Sequence, residues 1–216
     1  MLKLSLDIVK PRLRLLCIGA HSDDIEIGCG GTIMEWLGKH PNVEVTWVVL
    51  GASGTREAEA RESANQLLSE AKQAELLFRG FRDSHFPSQF EEAKSLFEEL
   101  KARENFDVIL THRLEDRHQD HRLVAELTWQ TFRDHLILEY EIPKYEGDLG
   151  QPNLYVTVSA STGERKVDHL LRHFGSQRAR DWFRPEVFFS LMQLRGIESR
   201  AVSGFAEAFH ARKLCL

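Results

Sequence analysis

Leu13-Arg14-Leu15-Leu16-Cys17-Ile18-Gly19-Ala20 runs straight into His21-Ser22-Asp23-Asp24-Ile25-Glu26-Ile27-Gly28-Cys29-Gly30-Gly31-Thr32. The first eight residues have strand length and are apolar on both alternate sets, as expected for a strand buried on both faces. Polar groups, a Gly-rich turn and then helical spacing follow, with Ile33, Trp36 and Leu37 on one face of a helix expected over Gly30–Lys39. Strand, glycine turn and helix in that order open a parallel α/β sheet.

Outward from this stretch the alternation repeats. Strands are expected at Val43–Leu50, Leu76–Phe78, Asp107–Thr111 and Leu136–Tyr140, with one further strand at Leu154–Val158. Helices are expected near Thr55–Gln73, Gln89–Arg103, His118–Phe132, Gly163–Phe174 and Pro185–Arg195, while the tail from Gly196 has no clear period. The fold class is therefore α/β, a Rossmann-like, mostly parallel sheet flanked by helices, with strand order 3-2-1-4-5. Pro143, Gly147, Gly150 and Pro152 make 142–153 a loop. Residues after about 153 read as a C-terminal flank of one domain spanning 1–216, in keeping with 216 residues in all.

Composition narrows the partners. With 42% hydrophobic and 28% charged residues the chain has the ordinary globular mixture. A net charge of −5 argues against nucleic acid as a partner, because that affinity rests on Lys and Arg neutralising phosphates. Cys17, Cys29 and Cys215 lack paired spacing, so neither a disulfide framework nor a cysteine zinc knuckle is expected. Lys3, Asp7, Lys10, Arg12 and Arg14 interrupt the N-terminal stretch, and no window is long and apolar enough for a membrane span. A cytoplasmic protein is the expectation.

Two stretches carry chemistry. At the mouth of the first strand, His21 and Asp24 offer a nitrogen and an oxygen ligand suited to Zn²⁺ or a similar cation. A plain Gly-rich turn with an acidic cap is the alternative. After the fourth strand comes Thr111-His112-Arg113-Leu114-Glu115-Asp116-Arg117-His118-Gln119-Asp120-His121-Arg122. His118 and His121, three apart, share a helix face, and Asp120 is placed to bind or orient an imidazole. Here the alternative is a solvated helix start. Asp24 and His121 stand 97 residues apart in sequence. Strands 1 and 4 are nevertheless neighbours at the switch point of such a sheet, where ligands bind beyond the strands' carboxyl ends.

These residues closely resemble the signatures of the PIG-L (LmbE-like) family of zinc-dependent N-deacetylases. Ala20-His21-Ser22-Asp23-Asp24 matches the family's Ala-His-Pro-Asp-Asp with Ser22 in place of Pro, and Gly28-Cys29-Gly30-Gly31-Thr32 matches its Gly-x-Gly-Gly-Thr turn. His118-Gln119-Asp120-His121 matches its His-x-Asp-His. Arg56 with Glu59, and Ala206-Glu207-Ala208-Phe209, match two weaker features, so the resemblance spans nearly the whole chain. It implies a small-molecule N-acetylated sugar or glycoconjugate as substrate, and Zn²⁺ as cofactor with Fe²⁺ as another candidate.

The mechanism expected on that basis has His21, Asp24 and His121 holding the metal, Asp23 as general base, and His118 stabilising the oxyanion and protonating the amine. Asp120 is expected to keep His118 cationic. Arg56 either anchors an oxygen-rich part of the substrate or pairs with Glu59. His112 is a substrate-pocket wall, a group behind the ligands, or plain surface. Trp182 is either a sugar-stacking aromatic or packing. Two rival functions remain: another metal-assisted hydrolysis or hydration on the same scaffold, and a non-catalytic nucleotide-binding module built on the Gly28–Gly31 turn. The latter needs a ribose-binding acid about 20 residues on, where only Glu44 stands, inside a strand.

Overall fold

The computed structural model describes residues 12–103 and 105–214. The expectations for Cys215 and for the segment before Arg12 fall outside them. Strand β1 (Leu13–His21) lies between β2 (Val43–Gly51) and β4 (Val108–Thr111), with β3 (Gln73–Phe78) beyond β2 and β5 (Leu136–Tyr140) beyond β4. All five are parallel, in the order 3-2-1-4-5. The sheet then continues through β7 (Phe205–Ala211) to β6 (Leu154–Val158), both pairings antiparallel.

β1 shows why a strand that is apolar throughout takes the centre. Leu15 and Cys17 pack under α1 (Asp24–Lys39), α2 (Gly54–Leu67), α5 (Ala160–His173) and α6 (Pro185–Ser199). Leu16 and Ile18 pack on the opposite face under α3 (Phe90–Arg103) and α4 (Gln119–Thr131). All four are fully buried.

Three elements differ from the sequence reading. α1 begins at Asp24 rather than Gly30, because Ile25 and Ile27 already face the core, and the helix breaks at Cys29 (φ −147°, ψ 15°) instead of starting there. α2 stops at Leu67, and Gln73–Glu75 join β3, whose exposed edge tolerates their polar side chains while their backbone pairs with β2. The tail without a clear period holds β7, inserted between two strands and thus buried on both faces.

Candidate metal centre and catalytic cavity

The parallel pairing of β1 with β4 aligns the ends of both strands, so the turns that follow them converge. His21 closes β1, and its backbone N–H donates to Asp24 Oδ2 at 2.6 Å, folding the turn so that Asp24 opens α1 beside it. From the other side, α4 starts at His118 as its N-cap and carries His121 in its first turn. Three donor atoms meet. His21 Nδ1 lies 3.1 Å from His121 Nε2 and 3.4 Å from Asp24 Oδ2, and His121 Nε2 lies 3.5 Å from Asp24 Oδ2. A tetrahedral ion with bonds of about 2.0–2.2 Å holds its ligand atoms about 3.3–3.6 Å apart, so the two edges at Asp24 match one and the His21–His121 edge is slightly short.

Carboxylates stand behind the imidazoles. His121 Nδ1 meets Asp116 Oδ2 at 3.0 Å, which leaves Nε2 for the triangle. Asp116 also receives the backbone N–H of His118 and the Lys144 ammonium. Although burial pushes it up, the His121 hydrogen bond and nearby cationic groups hold its carboxyl well below the usual range. The sequence reading missed Asp116. Its signal, an acid five residues before His121, becomes visible only once the loop bends back.

Asp120 does not serve His118. Its Oδ2 lies 3.2 Å from His21 Nε2, and its two oxygens accept the backbone N–H groups of Ser84 and Phe86. The reason is geometric: in a helix's first turn Asp120 faces the β1 side and the 79–88 loop. The expectation of a cationic His118 is corrected accordingly. His118 Nδ1 accepts the Asp120 N–H at 3.3 Å, so the ring proton sits on Nε2. Burial and the neighbouring His21 lower its pKa below the usual histidine value.

Asp23 caps α1 in position but without a side-chain cap bond, and its Oδ2 is buried with no hydrogen-bond partner. Burial and the adjacent Asp24 raise its pKa to about 6. It lines a cavity of about 240 Å³ together with His118, Arg56, Lys144 and Trp182. Arg56 does not pair with Glu59, which accepts from the backbone and hydroxyl of Ser176 instead. Its Nε donates to Ser22 Oγ (3.1 Å) and its Nη1 to Asp83 (2.9 Å), so the serine that replaces proline anchors the arginine.

His112 is corrected as a substrate contact. It is fully buried, stacks on His121 with ring centroids 3.9 Å apart, and places Nε2 2.9 Å from the Ala20 N–H and 3.1 Å from Asp24 Oδ2. It braces His121 and Asp24 from behind because it directly follows β4, inside the sheet layer.

The glycine turn is occupied by the chain itself. The break at Cys29 frees the N–H groups of Gly31 and Thr32, and Glu207 of β7 accepts both, at 2.9 and 2.6 Å. Lys166 neutralises that carboxylate at 2.5 Å. A Cβ on Gly31 would lie 2.9 Å from Glu207 Oε1. The donors that would cradle a phosphate are spent, which removes the nucleotide-binding reading.

Residues 16–132, more than half of the chain, match the family described as PIG-L: GlcNAc-PI de-N-acetylase. The chain belongs to this family. The uncharacterized deacetylase YaiS of Escherichia coli K12 is 30% identical to it over 139 residues, covering 61% of this chain and 75% of YaiS. The N,N'-diacetylchitobiose deacetylase of Pyrococcus horikoshii, solved with its inhibitor MPG, shares the fold at TM-score 0.68 and 20% identity, over 96% of this chain and 87% of that one. So does GalB, the 4-carboxy-2-hydroxymuconate hydratase of Pseudomonas putida KT2440, at TM-score 0.70 and 15% identity, over 94% and 98%. The fold alone therefore does not select the reaction, whereas the PIG-L membership does: this is a deacetylase.

Proposed function

We propose that this protein hydrolyses the N-acetyl group of an amino sugar or sugar conjugate, with zinc held by His21, Asp24 and His121. The observation that carries the reading is the ligand triangle with an unpartnered, buried Asp23 beside it. Two imidazoles and a carboxylate suit zinc, which when bound polarises an amide carbonyl and makes water acidic.

The chain's own groups do the rest. Asp23 takes a proton from the attacking water and, with burial and Asp24 holding its carboxyl above the usual carboxylate range, returns that proton to the departing nitrogen. This replaces His118 as the amine's proton source, since a neutral imidazole with its proton on Nε2 is a hydrogen-bond donor and a poor acid. His118 Nε2–H then serves the oxyanion. Arg56 holds substrate oxygens at the cavity wall, and Trp182 offers an apolar face to a sugar ring. The deacetylase activity of the chitobiose enzyme supports the sugar substrate, and a cytoplasmic setting fits the free, buried Cys17 and Cys29.

Elemental analysis combined with acetate release from a panel of N-acetylated sugars tests the reading. We expect one zinc per chain, most of it lost in His121→Ala, and acetate released by wild type only. Full metal retention in that variant would remove His121 from the ligand set. Hydration of an unsaturated acid without acetate release would move the protein to the chemistry of the hydratase neighbour.

A further inference from the structure

One side chain of the 142–153 loop reaches the back of the metal centre. Lys144 Nζ lies 3.0 Å from Asp116 Oδ2 and 2.6 Å from Asp148 Oδ1. The Lys144 side chain is 10% exposed, that of Asp116 5% and that of Asp148 8%, so all three charges are largely withdrawn from water. Asp148 is held in turn: its Oδ2 accepts the backbone N–H of Arg117 at 2.6 Å, and its carbonyl accepts Arg113 Nη1 at 2.7 Å. The ammonium is thereby fixed in place.

Which oxygen it meets decides what it does. Asp116 Oδ2 is the same atom that takes the Nδ1–H of His121 at 3.0 Å, and Nε2 of that ring stands in the ligand triangle. A carboxylate behind a ligating imidazole fixes the ring and makes it a stronger donor. A cation on that same oxygen draws the carboxylate's charge away from the ring. Where little water screens it, the ammonium also repels a cation on the ring's far side. Lys144 therefore keeps Asp116 in place while opposing part of the charge that Asp116 supplies.

We infer that Lys144 is a positioning residue of the metal centre, one that acts through Asp116 and His121 to make the site bind its ion less tightly and leave that ion more electron-poor. This rests on the reading of His21, Asp24 and His121 as the zinc ligands. Two other roles compete. Lys144 also lines the catalytic cavity, where it would touch substrate, and through Asp148 it ties down the loop. Each role predicts a different pattern among variants.

Zinc affinity of the full chain, read by competition with a chelator in the absence of substrate, tests it alongside acetate release. Lys144→Met should bind zinc about tenfold tighter than wild type, the lower end of the range over which groups behind the ligands act. Its kcat should fall about tenfold with KM little changed, the pattern of a weakened transition-state interaction. Lys144→Gln, neutral yet still able to donate to both carboxylates, should behave like Lys144→Met, and Lys144→Arg should return both readings toward wild type. Asp148→Asn loosens the loop but keeps the Asp116 contact, so it should bind zinc as wild type does. Unchanged or weaker zinc binding in the two neutral variants would overturn the proposal. A raised KM at unchanged kcat would make Lys144 a substrate contact instead, and an equal effect in Asp148→Asn would make it a loop anchor. Zinc bound equally by wild type and His121→Ala would overturn the ligand set and this inference with it. Tighter zinc in Lys144→Met without acetate release by wild type would overturn the deacetylase reading alone.

Discussion

At Asp23 a carboxylate is held at 3% exposure, with one oxygen unpartnered and Asp24 alongside. Its folded pKa of about 6 exceeds that of an exposed aspartate, so between about pH 4 and 6 the folded chain binds more protons than the unfolded one. Stability is therefore lost as pH rises through that window, and the cost is complete above it. Asp23→Asn removes the charge. The metal-free variant should be more stable than metal-free wild type by about 1–3 kcal/mol at pH 8, with the gap closing near pH 4. Thermal melts at the two pH values check this; a lower melting point at pH 8 would mean the ionised side chain is well solvated. The same variant should lose about 10²–10⁴-fold in turnover.

His118 bears on the opposite limb of the rate profile. With its pKa lowered, it is neutral above pH 7 and contributes no alkaline limb. kcat/KM should rise with pH through a limb at or below about 6, since a bound cation draws Asp23 lower, and then stay level. His118→Ala should cost about 10²–10³-fold, and His118→Gln, which keeps an N–H donor, should recover part of that. An alkaline limb that disappears in His118→Ala would restore the imidazole as the acid. One residue further out, Asp116→Asn should weaken metal affinity about 10–100-fold by freeing the His121 ring, as competition with a chelator would read out.

Among the elements, α1 depends on a strand 176 residues away, because Glu207 accepts the Gly31 N–H beside the Cys29 break. Lys166, Glu207 and the two N–H groups form a buried set in which each charge needs the other. Glu207→Gln leaves the Lys166 ammonium stranded and should cost about 3–5 kcal/mol in urea unfolding. Adding Lys166→Met should recover much of that loss; an additive double mutant would mean that the ammonium finds another partner. The strands of the parallel half were legible because Leu15–Ala20 and Trp47–Leu50 are apolar on both faces. β7 was not, because Ala206-Glu207-Ala208 has helix-forming composition and joins the sheet only through β5 and β6. Its burial on both faces is a tertiary fact. The convergence of His21, Asp24 and His121 was legible because each sits within a turn of a strand end or helix start. Asp116 and the true partner of Asp120 were hidden because loop curvature, rather than spacing, decides which carboxylate reaches which ring.

For the whole molecule, the family match ends at residue 132, yet Gln177 and Trp182 line the cavity beside His21, Asp24 and His121, and Glu207 accepts the N–H groups freed by the break inside α1. A chain stopped after residue 153 should therefore lack the soluble, cooperative fold, even though it contains every residue of the ligand triangle. Circular dichroism and metal content of the purified fragment check this; a zinc-loaded fragment with a sharp melt would show that 154–214 is dispensable.

β7 fills the gap between β5 and β6 from residues far down the chain. On the ribosome, β6 emerges with no strand beside it, and it keeps its edges bare until 205–211 leave the exit tunnel. At about 5–20 residues per second, the stretch from 154 to 211 takes roughly 3–12 s to make. During that time β5 also lacks its outer neighbour, and the N–H groups of Gly31 and Thr32 wait for Glu207. The nascent chain spends those seconds as a half-open sheet, and it is then that a chaperone would find it.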